Sequence, residues 1–179
     1  HVADVLMVMT VTDAQKRARG GITALLVEKG TPGFIVTRVD TTIGSEAIKL
    51  AEITIEDCFV PDSAVVGAVG GGFAIAQESL NEGRLSVACT CLGAALRLQE
   101  LAVAHAKERQ TFGAPLAKHQ AIQWMLADSA TELAAARAFV YETLRALEAG
   151  RAVGPAASMC KLLCSETAGR VADRAVQIH

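Results

Sequence analysis

The sequence predicts an α+β chain in two parts: a β-domain fragment over residues 1–69, followed by an up-and-down helical bundle over 70–179. Three observations predict it. Short β-branched runs separated by turn residues fill the first part, with no helical pattern between them. Gly70-Gly71-Gly72 then breaks the chain. After it come two long alanine- and leucine-rich patterns with apolar residues every three or four positions.

Val5 to Val11 and Ile22 to Glu28 read as strands, and Phe34 to Val39 and Ile53 to Val60 as two more. Gly20-Gly21, Thr31-Pro32-Gly33, and Asp57 with Pro61-Asp62 supply the turns. Strands without intervening helices imply antiparallel or mixed pairing, as in part of a barrel or sandwich. A first helix is expected from Phe73 to about Lys107. A second should run from Pro115, suited to a first helical turn, to Ala149. Trp124, Met125 and Leu133 are expected in its packed face. Gly150 stops this helix, and Gly154-Pro155 restarts the chain as a third.

The chain has 179 residues, 51% hydrophobic and 20% charged, with a net charge of -2. This length can bury a core, and the composition excludes global disorder. The charge argues against nucleic acid as a default partner. No unbroken apolar run reaches the length expected of a membrane span, and the amino terminus lacks the form of a secretion signal. The five cysteines show no metal-ligand spacing, and Cys89 with Cys91 and Cys160 with Cys164 read as small buried thiols of a reducing compartment.

Four segments bear on chemistry. Gly67 to Gly72 could offer backbone amides to an anion, or could be a junction admitting a close helix; it lacks the Gly-Lys-Ser/Thr of a phosphate loop. Glu82-Gly83-Arg84 places a possible base and an anion-holding arginine on the first helix, where such residues more often form a solvated face or an intrahelical pair. Ser86, Cys89 and His105 do not make a nucleophilic triad. The fourth segment, Arg109-Gln110-Thr111-Phe112-Gly113, sits at the junction of the first two long patterns. Its guanidinium fork, hydroxyl, aromatic ring and glycine suit a phosphate-bearing planar ligand, with Lys118 and His119 adding positive potential. It can also be read as a polar helix–helix loop whose Phe112 caps the bundle core.

Taken in order, Glu56-Asp57-Cys58-Phe59-Val60-Pro61, Gly72-Phe73, Gly83-Arg84, Glu108 to Gly113, Leu116 to Gln120 and Ala175-Val176-Gln177-Ile178-His179 resemble the acyl-CoA dehydrogenase family across the whole chain. The resemblance implies the later part of a middle β domain and three helices of a carboxy-terminal four-helix domain, with a front domain and a final helix outside these residues. It implies FAD-dependent conversion of an acyl-CoA to the trans-2-enoyl-CoA, a glutamate taking the α proton and the flavin the β hydride. Electrons would then pass to an electron-transfer flavoprotein. By the same resemblance, Arg109 contacts the FAD pyrophosphate across a subunit interface, with Thr111 and Phe112 beside it. Leu116, His119 and Ile122 line the adenosine side, and Gln177 meets the flavin. Asn81 replaces an aspartate near the coenzyme A chain, and Arg84 organises the active site. Gly83 occupies the alternative position of the family's base, so the base is expected beyond His179. A homodimer or dimer of dimers is implied, cytoplasmic in a bacterium or in the mitochondrial matrix of a eukaryote. An acyl-CoA oxidase, a flavin monooxygenase-like member and a non-catalytic scaffold of the same fold are the alternatives.

Overall fold

The computed structural model describes residues 2–44 and 47–179, and the chain divides into two compact units, His1–Glu78 and Ser79–His179. In the first unit β1 (Val5–Val11) and β2 (Ile22–Glu28) pair antiparallel from Val5↔Glu28 to Val11↔Ile22. A hairpin of β3 (Phe34–Asp40) and β4 (Leu50–Ile55) forms a second sheet, with a register shift between Val36 and Arg38. β5 (Val65–Val66) adds to the free side of β2, giving the order β1-β2-β5. Antiparallel pairing therefore matches expectation, but the fourth strand is displaced. It begins at Leu50 and ends at Ile55, because its partner runs out at Phe34 and Asp57 turns into the left-handed region at φ 49°.

The glycine run is used inside this unit. Gly70 N–H donates to Thr23 Oγ1 at 2.9 Å, and Gly71 bridges to Ile22. A Cβ on Gly72 would lie 2.7 Å from Ala24 N, and one on Gly70 2.5 Å from Gly20 O. Backbone lies on backbone here, which only glycine permits. The close-approach reading of this segment accounts for its residues without an anion.

Three helices dominate the second unit: α1 (Gly72–Glu108, which begins in the first), α2 (Gln120–Glu148) and α3 (Gly154–Ile178). Their shared core fixes their directions. One cluster joins Leu85 to Ala95 of α1, Leu133 to Val140 of α2 and Ala157 to Val171 of α3. The other joins Ala102 and Ala106 to Ile122, Met125 and Leu126, and to Ala175 and Ile178. Ascending α1 thus descends α2 and ascends α3, an up-down-up bundle. The α2–α3 turn has Gly150 at φ 70°, with Gly150 N–H on Leu147 O and Arg151 N–H on Ala146 O, which satisfies the last carbonyls of α2. Pro155 stands in the first turn of α3.

Three side-chain groups tie α2 to α3. Glu132 accepts from Arg170 Nε at 2.8 Å and Arg174 Nη2 at 2.9 Å, while Arg174 Nη1 reaches buried Ser129 Oγ at 3.2 Å. Burial raises the Glu132 pKa, but hydrogen bonds from Arg174 and Arg170 and their charges outweigh it and hold it below the usual value. Buried Thr143 hydroxyl donates to Phe139 O at 2.9 Å, leaving its oxygen to accept from Cys160 Sγ at 3.3 Å.

Several expectations need correction. Pro115 does not open the long helix; its ψ of 144° is extended, it caps a single 3-10 turn over Leu116–Lys118, and α2 starts at Gln120. Trp124 is 60% exposed, because the buried stripe of α2 passes through its neighbour Met125 and on to Ser129, Leu133 and Ala136. Only Cys160 and Cys164 are buried; Cys58 and Cys91 are half-buried and Cys89 is exposed, all with free thiols. Finally, α1 is long and apolar enough to cross a membrane by length and composition, with an 18-residue window of mean hydropathy 1.4. Its apolar residues are interrupted by polar ones, and alanine carries much of that hydropathy. Its Leu85, Ala88, Leu92 and Ala95 are packed in the bundle core.

Candidate functional site

The Arg109 segment is built as a hairpin. Arg109 N–H donates to His105 O and closes α1, and Leu116 N–H returns to Arg109 O, both at 2.8 Å. Between them β6 (Gln110–Thr111) pairs with β7 (Ala114–Pro115), so the connection is two residues long. Phe112 and Gly113 fill it at φ 52° and 79°. Two successive positive φ values define a type I′ turn, which favours Asn-Gly; a phenylalanine in the first position is strained. The same Phe112 is fully exposed, so packing within this chain does not repay that strain and the core-capping reading fails.

Thr111 Oγ1 lies 3.0 Å from His119 Nε2, and the Phe112 ring meets His119 edge-on at 6.2 Å. Leu116 and Ile122 are half-buried and pack on Ala102, Ala106, Ala175 and Ile178, anchoring the hairpin to the bundle. At the same end His105 stacks on His179 at 4.4 Å, and His179 Nδ1 bonds Ala175 O at 2.8 Å. Sequence reasoning dismissed His105 as a nucleophilic partner and missed this stacking, for which sequence carries no signal. Exposed Gln177 precedes Ile178, which belongs to the same cluster. Arg109, Thr111, Phe112, Leu116, His119, Ile122 and Gln177 therefore gather at one end of the bundle.

Asn81 and Arg84 do not join them. Arg84 Nη1 donates to Asn81 Oδ1 at 2.7 Å, and Asn81 faces Gly154 at the start of α3. Twenty-five residues of helix separate Arg84 from Arg109, about 37 Å along the axis. Glu82 is exposed, and a Cβ on Gly83 would meet nothing within 4 Å. A groove of about 870 Å³ between α1 and α2, with Gln99, Arg137 and Tyr141 in its wall, includes none of these residues.

Ligand-holding capacity is clearest in the arginines. Of eleven, eight engage a carboxylate, an amide or, for Arg137, the Tyr141 ring. Among the described arginines, Arg17, Arg19 and Arg109 have side chains without a partner. No group of three or more His, Cys, Asp or Glu among the described residues could hold a metal ion.

A β unit followed by an up-down-up bundle, with an exposed arginine on a strained hairpin, makes this an α+β chain of two units. The family model for the acyl-CoA dehydrogenase C-terminal domain matches residues 70–179, and the chain belongs to the acyl-CoA dehydrogenase family. It is 41% identical over 177 residues to the acryloyl-CoA reductase (NADH) of Anaerotignum propionicum, covering 99% of this chain and 45% of that protein. A chain in a structure solved for the electron transferring flavoprotein of Acidaminococcus fermentans is 40% identical with a TM-score of 0.93, over 99% of this chain and 46% of that one. The butyryl-CoA dehydrogenase of Megasphaera elsdenii is 37% identical with a TM-score of 0.93, over 98% and 46%. The chain thus spans less than half the length of these relatives.

Proposed function

We propose that the whole protein is an FAD-dependent acyl-CoA dehydrogenase that forms trans-2-enoyl-CoA. The observation that carries this reading is the partnerless Arg109 on its strained, exposed hairpin, within a chain of this family. These residues fit FAD. Arg109 offers a planar fork to a pyrophosphate. Phe112 supplies an apolar wall and Thr111 a hydroxyl oriented by His119. His119 and the exposed edges of Leu116 and Ile122 would line the adenosine side, with Gln177 beside the flavin ring. When bound, FAD accepts the β hydrogen of the acyl chain as hydride.

Arg84, held by Asn81, organises the acyl-CoA site from the other end of α1. No base stands beside it: Gly83 has no side chain, and Glu82 points about 100° away on the helix. We assign the general base to residues outside this chain. The 37 Å between Arg84 and Arg109 is too long for one copy to hold a single flavin with both. A second subunit supplies the hairpin in this reading, hence a homodimer or dimer of dimers. An electron-transfer flavoprotein is the proposed acceptor, supported by the likeness to the Acidaminococcus structure. The likeness to an acryloyl-CoA reductase favours one second reading, net reduction of a 2-enoyl-CoA through the same site.

The test is FAD retention by the holoenzyme. Arg109→Ala should weaken it by about 1.5–3 kcal/mol, and Arg109→Lys by less, because an ammonium keeps charge but loses the fork. Equal retention by wild type and Arg109→Ala, or a strictly monomeric holoenzyme, refutes the assignment. Product analysis with both an acyl-CoA and its enoyl-CoA decides the direction.

A further inference from the structure

His105 and His179 are the rings that join α1 to α3 at the hairpin end of the bundle. They stack with centroids 4.4 Å apart and planes inclined by 28°. His179 Nδ1 lies 2.8 Å from Ala175 O, and a carbonyl only accepts, so Nδ1 carries a proton and the bond holds the ring in place. Buried Ala102 and Ala106 bracket His105, and buried Ala175 and Ile178 precede His179, so the stack extends their shared cluster out to solvent. His105 O accepts the Arg109 N–H at the root of the hairpin, and Gln177 stands two residues before His179. The stack therefore ties the turn of α1 that leads to Arg109 to the turn of α3 that carries Gln177. The charges around it lean positive. α1 contributes Lys107, Glu108 and Arg109, the segment after the hairpin Lys118 and His119, and α3 Asp173 with Arg174, the last engaged by Glu132. From α2 the cluster takes Ile122, Met125 and Leu126, which carry no charge. Among the described residues no carboxylate bonds either ring.

We propose that His105 and His179 are a positioning pair for the cofactor-binding end of the bundle, holding Arg109 and Gln177 in register near neutral pH and letting them part in acid. This rests on the FAD reading above and deepens it. Imidazoles gain charge just below neutral pH, and solvent reaches both rings, since His179 is exposed and His105 half-buried. Neutral rings attract face to face, and one imidazolium over a neutral ring still does. Two imidazoliums 4.4 Å apart repel, and Lys107, Arg109 and Lys118 add to that repulsion. Relief comes by unstacking, after which the turn that holds Arg109 is no longer tied to the turn that holds Gln177. Neither ring touches the ligand in this arrangement; both act through residues that do. A phenylalanine pair keeps the stacked area and takes no proton, so shape and charge can be separated.

The experiment measures FAD retention by the holoenzyme, read as flavin fluorescence freed on dilution, from about pH 7.5 to about pH 5.5. It compares wild type with His105→Phe/His179→Phe and His105→Ala/His179→Ala. His119 stays in every protein, so its own titration is common to all and cancels in the comparison. Over that range wild-type retention should weaken about tenfold more than that of the phenylalanine pair. At neutral pH the phenylalanine pair should match wild type within about twofold, whereas the alanine pair, with no ring contact, should hold FAD about tenfold more weakly. Thermal melts of the flavin-free proteins should show wild type losing about 3 °C more than the phenylalanine pair in acid. Retention profiles that fall in parallel, or an alanine pair as retentive as wild type at neutral pH, overturn the proposal. So does a melting gap without a retention gap, which makes the stack a structural contact only. The melts keep the two readings apart. A wild type that binds no FAD, yet melts apart from the phenylalanine pair in acid, refutes the cofactor reading and leaves the acid-sensitive clamp standing. A wild type that retains FAD with the same profile as the phenylalanine pair refutes the positioning pair alone.

Discussion

Glu132→Gln removes a charge while keeping its shape, at the point where two arginines of α3 converge on α2. The wild-type carboxylate accepts two charge-assisted hydrogen bonds, at 2.8 and 2.9 Å, from a side chain 26% exposed. The two guanidiniums meet different carboxylate oxygens, and glutamine keeps an acceptor at one of those positions while turning its N–H groups toward the other guanidinium. Losing the charged character of both bonds, discounted for partial exposure, costs about 2 kcal/mol at neutral pH. The pH dependence follows from linkage. The native carboxyl titrates below its unfolded value, so its contribution is fully present above an unfolded pKa of about 4.3 and fades as pH falls through the lowered native one. Urea denaturation of holoenzyme, followed by helical circular dichroism at several pH values, should therefore show a gap between wild type and Glu132→Gln that is constant at neutral pH and closes in acid. A double-mutant cycle with Arg174→Gln should give a coupling of about 1 kcal/mol. Zero coupling, or a gap that widens in acid, refutes the clamp.

Glycine substitutions should divide by packing. Gly72→Ala forces a methyl against the Ala24 and Thr23 backbone and should cost about 2 kcal/mol or more, whereas Gly93→Ala, exposed on α1 with open space beside it, should stabilise by about 0.5–1 kcal/mol in the same melts. Burial, with neighbouring Cys160, Cys91 and Cys89, pushes the Cys164 thiol up to about 11; a maleimide at pH 8 should label Cys89 within minutes and leave Cys164 untouched until denaturant is added, as peptide mapping would show. Residues 1–179 expressed alone, supplied with FAD, an acyl-CoA panel and an artificial acceptor, should show no sustained turnover; turnover would overturn the assignment of the base elsewhere.

Periodicity made the long elements legible because burial on one face writes itself into spacing. It could not resolve the Arg109 hairpin, whose strands are two residues each, shorter than any repeat. Pro115 misled for a related reason: its ring fixes φ near the helical value while ψ, which no ring constrains, turned out extended. Trp124 misled because hydrophobicity is not position; it lies two residues past Ile122, on another side of the helix. In the candidate site, Arg109 could be read from its neighbours Thr111, Phe112 and Gly113. That it lacks a partner, and that Arg17 and Arg19 do too, emerges only when every acceptor has a place in space.

The bundle core has a property that bears on how such a chain can change. Of sixteen buried apolar residues in the second unit, nine are alanine or cysteine. A leucine-filled interior fails chiefly by truncation, since each lost isobutyl group leaves a void. An interior of methyls and thiols has little to truncate, and its weakness runs the other way. At Ala88, Ala95, Ala136 or Ala157 each added carbon must push whole helices apart. Mutational drift in this bundle is ratcheted against growth. Neutral paths toward larger side chains are closed at these positions unless a facing residue shrinks first, so sequence change here should arrive in compensating pairs.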